Sequence, residues 1–145
     1  MITNFFELVL SLADININYV KKSIYELHGE FGQFDIVVCG RVLLHLPDPF
    51  EALRKKRSVC KDQAIISTAC PEDSMINIRP VCEFLGHKSE DGDYWTYWSI
   101  GAVALKNMLI GAGFAHIINE RHFTLVSEPG YRDYAIPHVV VTGLI

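Results

Sequence analysis

The stretch FDIVVCGRVLLHLPDPFEAL, residues 34–53, decides the fold of this protein. Residues 35–39 (DIVVC) form an apolar run rich in β-branched side chains, which is typical of a strand covered on both faces. Asp48 stands directly before Pro49 and three residues before Glu51, so the pattern predicts a helix that begins at Pro49 with a reciprocal capping box. A buried strand followed at once by a helix is typical of α/β domains.

The rest of the chain continues this alternation. The predicted further strands are residues 15–20, 63–69, 116–126 and 138–145, and the predicted further helices are residues 4–12 and 99–113. Residues 70–80 (CPEDSMINIRP) are interpreted as a loop, and residues 88–98 (KSEDGDYWTYW) as a polar turn that leads into the last helix. This order predicts an α/β domain with a mostly parallel sheet, helices on both faces and a C-terminal antiparallel hairpin.

Composition restricts the possible functions. The chain has 145 residues, of which 50% are hydrophobic and 21% charged, which suits one domain with a real core. Its net charge of -4 argues against nucleic acid or an anionic membrane as a partner. The apolar runs are shorter than the roughly 20 residues of a membrane span. The N-terminus has no basic region before its apolar residues, so no signal peptide is predicted and we expect a cytoplasmic protein.

Cysteine and histidine spacing gives no support for a metal site. The four cysteines (Cys39, Cys60, Cys70 and Cys82) include no CxxC pair, and the six histidines show neither HxH nor HExxH spacing. We therefore predict reduced, buried thiols and no bound metal.

Two segments carry a family resemblance. Residues 34–68, FDIVVCGRVLLHLPDPFEALRKKRSVCKDQAIIST, followed by residues 95–114, WTYWSIGAVALKNMLIGAGF, resemble the second half of class I S-adenosylmethionine-dependent methyltransferases. In that family such segments form the fourth and fifth strands and the helix before an antiparallel strand pair. The resemblance implies a partial Rossmann-like domain over residues 1–145, S-adenosylmethionine as cofactor, and an enzyme that methylates a small-molecule acceptor.

The chain departs from the family at the cofactor motif. The family has a first strand ending in a glycine-rich loop and an acidic residue after its second strand, and neither is found here; the domain resembles one truncated before its third strand. Gly111 and Gly113 follow a helix, and we interpret them as its terminator, with Phe114 folding back. We therefore expect this chain alone to bind S-adenosylmethionine weakly or not at all. The alternative function is a non-catalytic remnant or fragment that folds and self-associates without cofactor.

The resemblance also implies site residues at the end of the strand over residues 35–39. Cys39, Gly40 and Arg41 would face the cofactor: Gly40 would let the backbone approach its methionine end, and Arg41 would meet its carboxylate or the substrate. In the alternative interpretation, Gly40 is a turn residue and Arg41 a solvated charge. His45 matches the family's histidine after that strand and would act as general base or orient the acceptor; the alternative is a residue that caps a local turn.

The resemblance implies further site residues before and after this part of the chain. Ser23 and Ile24 match the positions that contact adenine, although a serine replaces the family's acid. Glu72, Trp95 and Trp98 would line the acceptor site. Polar loops are common at the position of Glu72, and the tryptophans could instead pack on the sheet.

The missing strands also predict self-association. Without them the strand over residues 35–39 would lack one neighbour, and Ile36, Val37 and Val38 would form an exposed apolar stripe. We therefore expect a homodimer, formed by continuing the sheet or by exchanging residues 4–20 between two copies.

Overall fold

The computed structural model describes residues 17–76, 78–127 and 135–145. This part contains β1 (Phe34–Gly40), α1 (Pro49–Val59), β2 (Cys60–Ala69), β3 (Cys82–Lys88), β4 (Tyr94–Ile100), α2 (Ala102–Gly111), β5 (His116–Val126) and β6 (Ala135–Leu144). Short 3-10 turns cover Ile24–Glu26, Gly29–Phe31, Leu43–His45 and Glu72–Met75. The predicted helix over residues 4–12, and residues 4–16 of the segment predicted to exchange, lie outside the described residues.

The main sheet has the strand order β1-β2-β6-β5. β1 and β2 are parallel, whereas β6 is antiparallel to both β2 and β5. The sheet is therefore mixed, and the prediction of a mostly parallel sheet is wrong. The physical reason is that β6 returns beside β2, inside the sheet, so that both of its pairings are antiparallel. The predicted β1 and β2 and the C-terminal antiparallel pair are confirmed.

The two described helices lie side by side. Arg57 Nε of α1 donates a hydrogen bond of 2.8 Å to the carbonyl oxygen of Gly113, just past α2. The core lies between these helices and the sheet residues Ala64, Ile66 and Val141. Helices on both faces were predicted; the described residues hold these two α-helices, and the third predicted helix, over residues 4–12, lies outside them.

The segment between β2 and α2 contains a second, two-stranded sheet. β3 and β4 pair antiparallel, and the turn between them is closed by a 2.8 Å hydrogen bond from the Ser89 N–H to the Asp93 carbonyl oxygen. The interpretation of residues 88–98 as a polar turn is therefore right for residues 89–93 and wrong for residues 94–98, which belong to β4. The last helix was also predicted to begin near Ser99, yet it begins at Ala102 because β4 runs to Ile100 and the Ser74 hydroxyl accepts the Ala102 N–H at 2.8 Å.

The predicted start of α1 is confirmed, but its capping box is only half made. The Asp48 carboxylate accepts the Glu51 N–H at 2.9 Å. The Asp48 N–H donates to the Tyr25 hydroxyl at 3.1 Å, so it does not need the Glu51 side chain. Glu51 instead pairs with Arg54 and Lys55 one turn later. Asp48 thus joins α1 to the turn that precedes β1.

We expect Asp48→Ala to lower the free energy of unfolding by about 1 kcal/mol, because the Glu51 N–H loses its acceptor. Urea denaturation followed by circular dichroism measures this loss. Asp91→Ala, in the exposed turn between β3 and β4, is the matched control and should change stability by much less. Equal losses in the two variants would contradict the cap assignment.

The end of α2 is as predicted. Gly113 has φ 103°, the left-handed conformation that favours glycine, and the Phe114 N–H returns to the Leu109 carbonyl oxygen at 3.1 Å. This turn directs Phe114 into the core, where its ring packs against Gly143 of β6. The helix terminator therefore also places a large core side chain.

β1 is an edge strand with an open side. Its one neighbour in the sheet, among the described residues, is β2. Residues 17–20 form no strand, so the prediction of a strand over residues 15–20 is wrong where the structure describes it. β1 is also not covered on both faces as predicted, because Ile36 and Val38 are 52% and 64% exposed.

Candidate functional site

The carboxyl ends of β1 and β2 lie together because these strands are parallel. Directly after β1, Arg41 adopts φ 54°, a left-handed conformation that is uncommon for a residue with a side chain. The Arg41 N–H donates to the Ser67 carbonyl oxygen of β2 at 2.8 Å, and this bond holds the bend. Backbone strain of this kind is found at ligand sites more often than elsewhere.

A cavity of about 320 Å³, the hairpin pocket, lies between these strand ends and the β3–β4 hairpin. Its walls come from the β1 end, the β2 end, the start of β6 and both strands of the hairpin. It is lined by Arg41, Leu44, Ala69, Cys70, Leu85, His87, Trp95, Thr96, Trp98, Ser99 and Ile136. In open α/β sheets, ligands bind outside the carboxyl ends of the strands, and this pocket has that location.

Two polar groups in the hairpin pocket have no partner among the described residues. They are Nε of Arg41 and Oγ1 of Thr96, and both atoms are buried. Thr96 as a whole is only 4% exposed. A buried donor without a partner is costly, so a ligand that accepts from both would recover that free energy. No acidic residue is found among the described residues that line the pocket.

The aromatic wall of the hairpin pocket is built around Trp95. Its ring stacks against His45 and His87, with centroid distances of 6.1 Å and 6.3 Å. His45 Nδ1 also bonds to the Trp95 carbonyl oxygen, so Nδ1 carries the proton and Nε2 has the free lone pair. Trp98 is held separately, by a 3.3 Å hydrogen bond from its Nε1 to the Pro47 carbonyl oxygen.

The predicted site residues are thus brought together only in part. Arg41, Trp95 and Trp98 share the hairpin pocket, and His45 touches it through Trp95 without lining it. Thr96, which the sequence interpretation missed, belongs to the same pocket. The run YWTYW, residues 94–98, is rich in aromatic residues that favour strands and could have revealed β4, but it does not by itself place Thr96 in the pocket.

Glu72 does not line the hairpin pocket. It is in the turn Glu72–Met75 and lines a separate cavity of about 220 Å³, together with His122 and His138. Cys70 is the residue that this cavity shares with the hairpin pocket. Glu72 is therefore not grouped with the two tryptophans.

A larger groove of about 680 Å³, the β1 groove, runs beside the open edge of β1. The predicted adenine residues Ser23 and Ile24 both line it. The Ser23 hydroxyl accepts the Tyr25 N–H at 3.3 Å, so it caps the turn Ile24–Glu26 and is used locally. Phe34 and Val42 add apolar surface, and Lys56 contributes a cation.

The thiols near these cavities are not activated. Burial raises the pKa of Cys39, and the neighbouring Lys56 ammonium opposes only part of that rise. Burial also raises the pKa of Cys70. Both thiols therefore stay protonated near neutral pH, so neither is a nucleophile.

All four cysteines are free, but Cys82 is exposed, so the prediction that every thiol is buried is wrong for Cys82.

The described residues hold neither a metal-binding cluster nor a membrane-spanning helix. No cluster of three or more histidine, cysteine or carboxylate side chains there is arranged to hold a metal ion. None of the helices in that part of the chain has the length and apolar character to cross a membrane.

Comparison with known proteins shows the fold. The sequence model of a methyltransferase domain family matches residues 4–68. The N-terminal domain of EvdMO1, solved with S-adenosylhomocysteine bound, superposes with a TM-score of 0.65 at 19% identity, over 95% of this chain and 58% of that one. This chain has a class I methyltransferase fold. No curated protein matches the sequence.

Other methyltransferase structures agree with this assignment. An S-adenosylmethionine-dependent methyltransferase from Mesorhizobium loti has a TM-score of 0.59 at 16% identity, over 98% of this chain and 77% of that one. The 1,6-didemethyltoxoflavin-N1-methyltransferase of Burkholderia thailandensis has the same TM-score at 17% identity, over 86% and 49%. This methyltransferase-fold chain therefore spans less than two thirds of the EvdMO1 domain and of the Burkholderia enzyme.

The residues of this methyltransferase fold suit part of the expected cofactor. Gly40 is exposed, and a side-chain carbon placed there would have no atom within 4 Å, so a ligand can approach its backbone. The β1 groove has apolar surface that suits an adenine ring, contributed by Ile24, Leu27 and Val42. The described lining of the groove includes no carboxylate for the ribose hydroxyls.

Proposed function

We propose that this chain takes part in methyl transfer from S-adenosylmethionine to a small-molecule acceptor, which binds in the hairpin pocket. The observation that carries the proposal is the pocket itself. It places two unpartnered buried donors and an aromatic wall at the carboxyl ends of parallel strands in a methyltransferase fold.

Methyl transfer requires mainly that the methyl donor and the acceptor are held in the right relative position. The bound cofactor would supply an electrophilic methyl group on its sulfonium sulfur, and an oxygen or nitrogen of the acceptor would be the nucleophile and lose its proton to water. The residues of this chain would align the acceptor and exclude water.

Four of the predicted residues receive a role in this proposal. We assign Gly40 and Ile24 to the cofactor side, because they border the β1 groove or the open end of β1. Arg41 is assigned to the acceptor, since it lines the hairpin pocket. His45 is assigned to orienting the acceptor through Trp95, because its Nδ1 donates to the Trp95 carbonyl oxygen and its ring stacks on Trp95, while His45 itself does not line the pocket.

A titration with S-adenosylhomocysteine tests the cofactor half of the proposal. We expect the amide resonances of Gly40 and Ile24 to shift in ¹H–¹⁵N NMR spectra, with a Kd on the order of 1 mM because the described groove lacks a ribose acid. Gly40→Val should weaken binding by about tenfold or more, since its side chain blocks backbone approach.

The control is Asn119→Val, an exposed position in β5 at the other edge of the sheet, which should bind like the unmodified chain. Shifts that avoid residues 24 and 40, or no shifts at millimolar ligand, would overturn the assignment of the cofactor side. A micromolar Kd would instead refute the prediction of weak binding.

A further inference from the structure

We infer that the hairpin pocket selects a planar aromatic acceptor that carries a carboxylate, with Arg41 and Thr96 holding the carboxylate and Trp95 lying against the ring. This inference rests on the proposed function and names the class of its acceptor. The carboxylate anchors the molecule, while a different atom of the ligand receives the methyl group.

Arg41 is the anion-binding group. A carboxylate binds a guanidinium most strongly through two parallel hydrogen bonds, and Nε with one terminal nitrogen forms one such pair of donors. Nε of Arg41 is buried and has no partner among the described residues, so turning this side of the guanidinium toward a carboxylate in the pocket would supply its missing hydrogen bond. The left-handed backbone of Arg41, held by Ser67, fixes the direction from which the side chain enters the pocket.

Thr96 supplies a second donor from a different element. Its hydroxyl lies on β4, across the pocket from the strand ends, and it too is buried without a partner in the described part of the chain. A hydroxyl can rotate to donate to a carboxylate oxygen. With no acidic side chain in the described lining, an anion meets no like charge, whereas a cationic group would find no counter-charge.

The shape of the pocket favours a flat ring. The Trp95 ring is within 27° of the His87 plane, and both rings line the pocket, while His45 stacks on Trp95 without lining it. Leu44, Leu85 and Ile136 add apolar contact. A volume of about 320 Å³ has room for a mono- or bicyclic ring system and is near the lower end of ligand pockets.

The test compares two ligands of the same shape. 1-Naphthoate carries the carboxylate, and 1-naphthamide replaces it by a neutral group. The chain has two tryptophans, both in the pocket, so its indole N–H resonances report occupancy directly. We expect naphthoate to bind about ten- to a hundredfold more tightly than naphthamide, because its hydrogen bonds are charge-assisted.

Variants identify the donors. Arg41→Gln should abolish the preference for naphthoate without changing the affinity for naphthamide, and Arg41→Lys should restore only part of it, because lysine lacks the paired donors. Arg54→Gln, which removes an exposed arginine of α1, is the matched control and should keep the full preference. Thermal melts show whether each variant is folded.

The outcomes separate this inference from the proposed function. Equal affinity for naphthoate and naphthamide, or a preference that survives Arg41→Gln, would overturn the acceptor class, even if S-adenosylhomocysteine binds. A naphthoate preference that depends on Arg41 in a chain that binds no S-adenosylhomocysteine would support the pocket assignment and overturn the methyl-transfer proposal. Cyclohexanecarboxylate tests planarity, and binding as tight as that of naphthoate would contradict the flat-ring requirement.

Discussion

Phe114→Ala is expected to lower the free energy of unfolding by about 3–5 kcal/mol, the largest loss we predict for a single side chain. Phe114 is 1% exposed and lies in the core between α2 and the sheet. Its ring fills the space above Gly143, where a side-chain carbon would come within 3.3 Å of it, so truncation leaves a cavity that the glycine cannot fill. Urea denaturation followed by circular dichroism measures the loss.

Phe123→Ala is the matched control. Phe123 lies on β5, is 45% exposed and stacks on His138 with a centroid distance of 5.1 Å. Because much of its surface is already in water, its truncation should cost about 1 kcal/mol. If the two phenylalanine variants lost the same stability, Phe114 would not have the packing role that the structure assigns to it.

We propose that the chain forms a homodimer through β1, and a charge placed on that strand should dissociate it. β1 has an unpaired edge among the described residues, and Phe34, Ile36 and Val38, on one face, are all at least half exposed. Such an edge is a template for pairing with a second copy. Val38→Lys should weaken the dimer by about a hundredfold, close to 2.7 kcal/mol, because lysine would have to bury its charge.

Sedimentation velocity at micromolar concentration measures this association. Ile118→Lys is the control, since Ile118 is similarly exposed on β5 at the opposite edge of the same sheet. It should leave the dimer intact if pairing uses β1. A monomeric unmodified chain, or a dimer dissociated only by Ile118→Lys, would contradict the proposal.

Local signals in the sequence predicted most of the regular elements. The β-branched residues of β1 and β2, the Asp48 cap of α1 and the Gly113 terminator each act within a few residues of the chain, and all are confirmed. The β3–β4 hairpin was missed because its pairing contains register shifts near His87 and its turn is polar. Those features disguise the alternation that marks a strand.

The functional site, too, could be predicted from the sequence only in part. Arg41, Trp95 and Trp98 were named from the sequence with separate roles in cofactor and acceptor binding, and the structure places all three in one pocket. Thr96 could not be assigned there, because it reaches the pocket only through the pairing of β3 with β4. Arg41 and Thr96 are far apart in sequence, and no local pattern relates them.

The sequence by itself determined the cap that begins α1 and the turn that ends α2, since each depends on contacts between near neighbours in the chain. It also determined the parallel β1–β2 unit, because a strand, a helix and a strand in direct succession favour that pairing. The tertiary structure alone decided that β6 lies between β2 and β5 and that a hairpin covers the strand ends. It also decided which buried donors are left without partners. These features depend on pairings between distant segments, whose free energy arises only when the whole sheet is assembled.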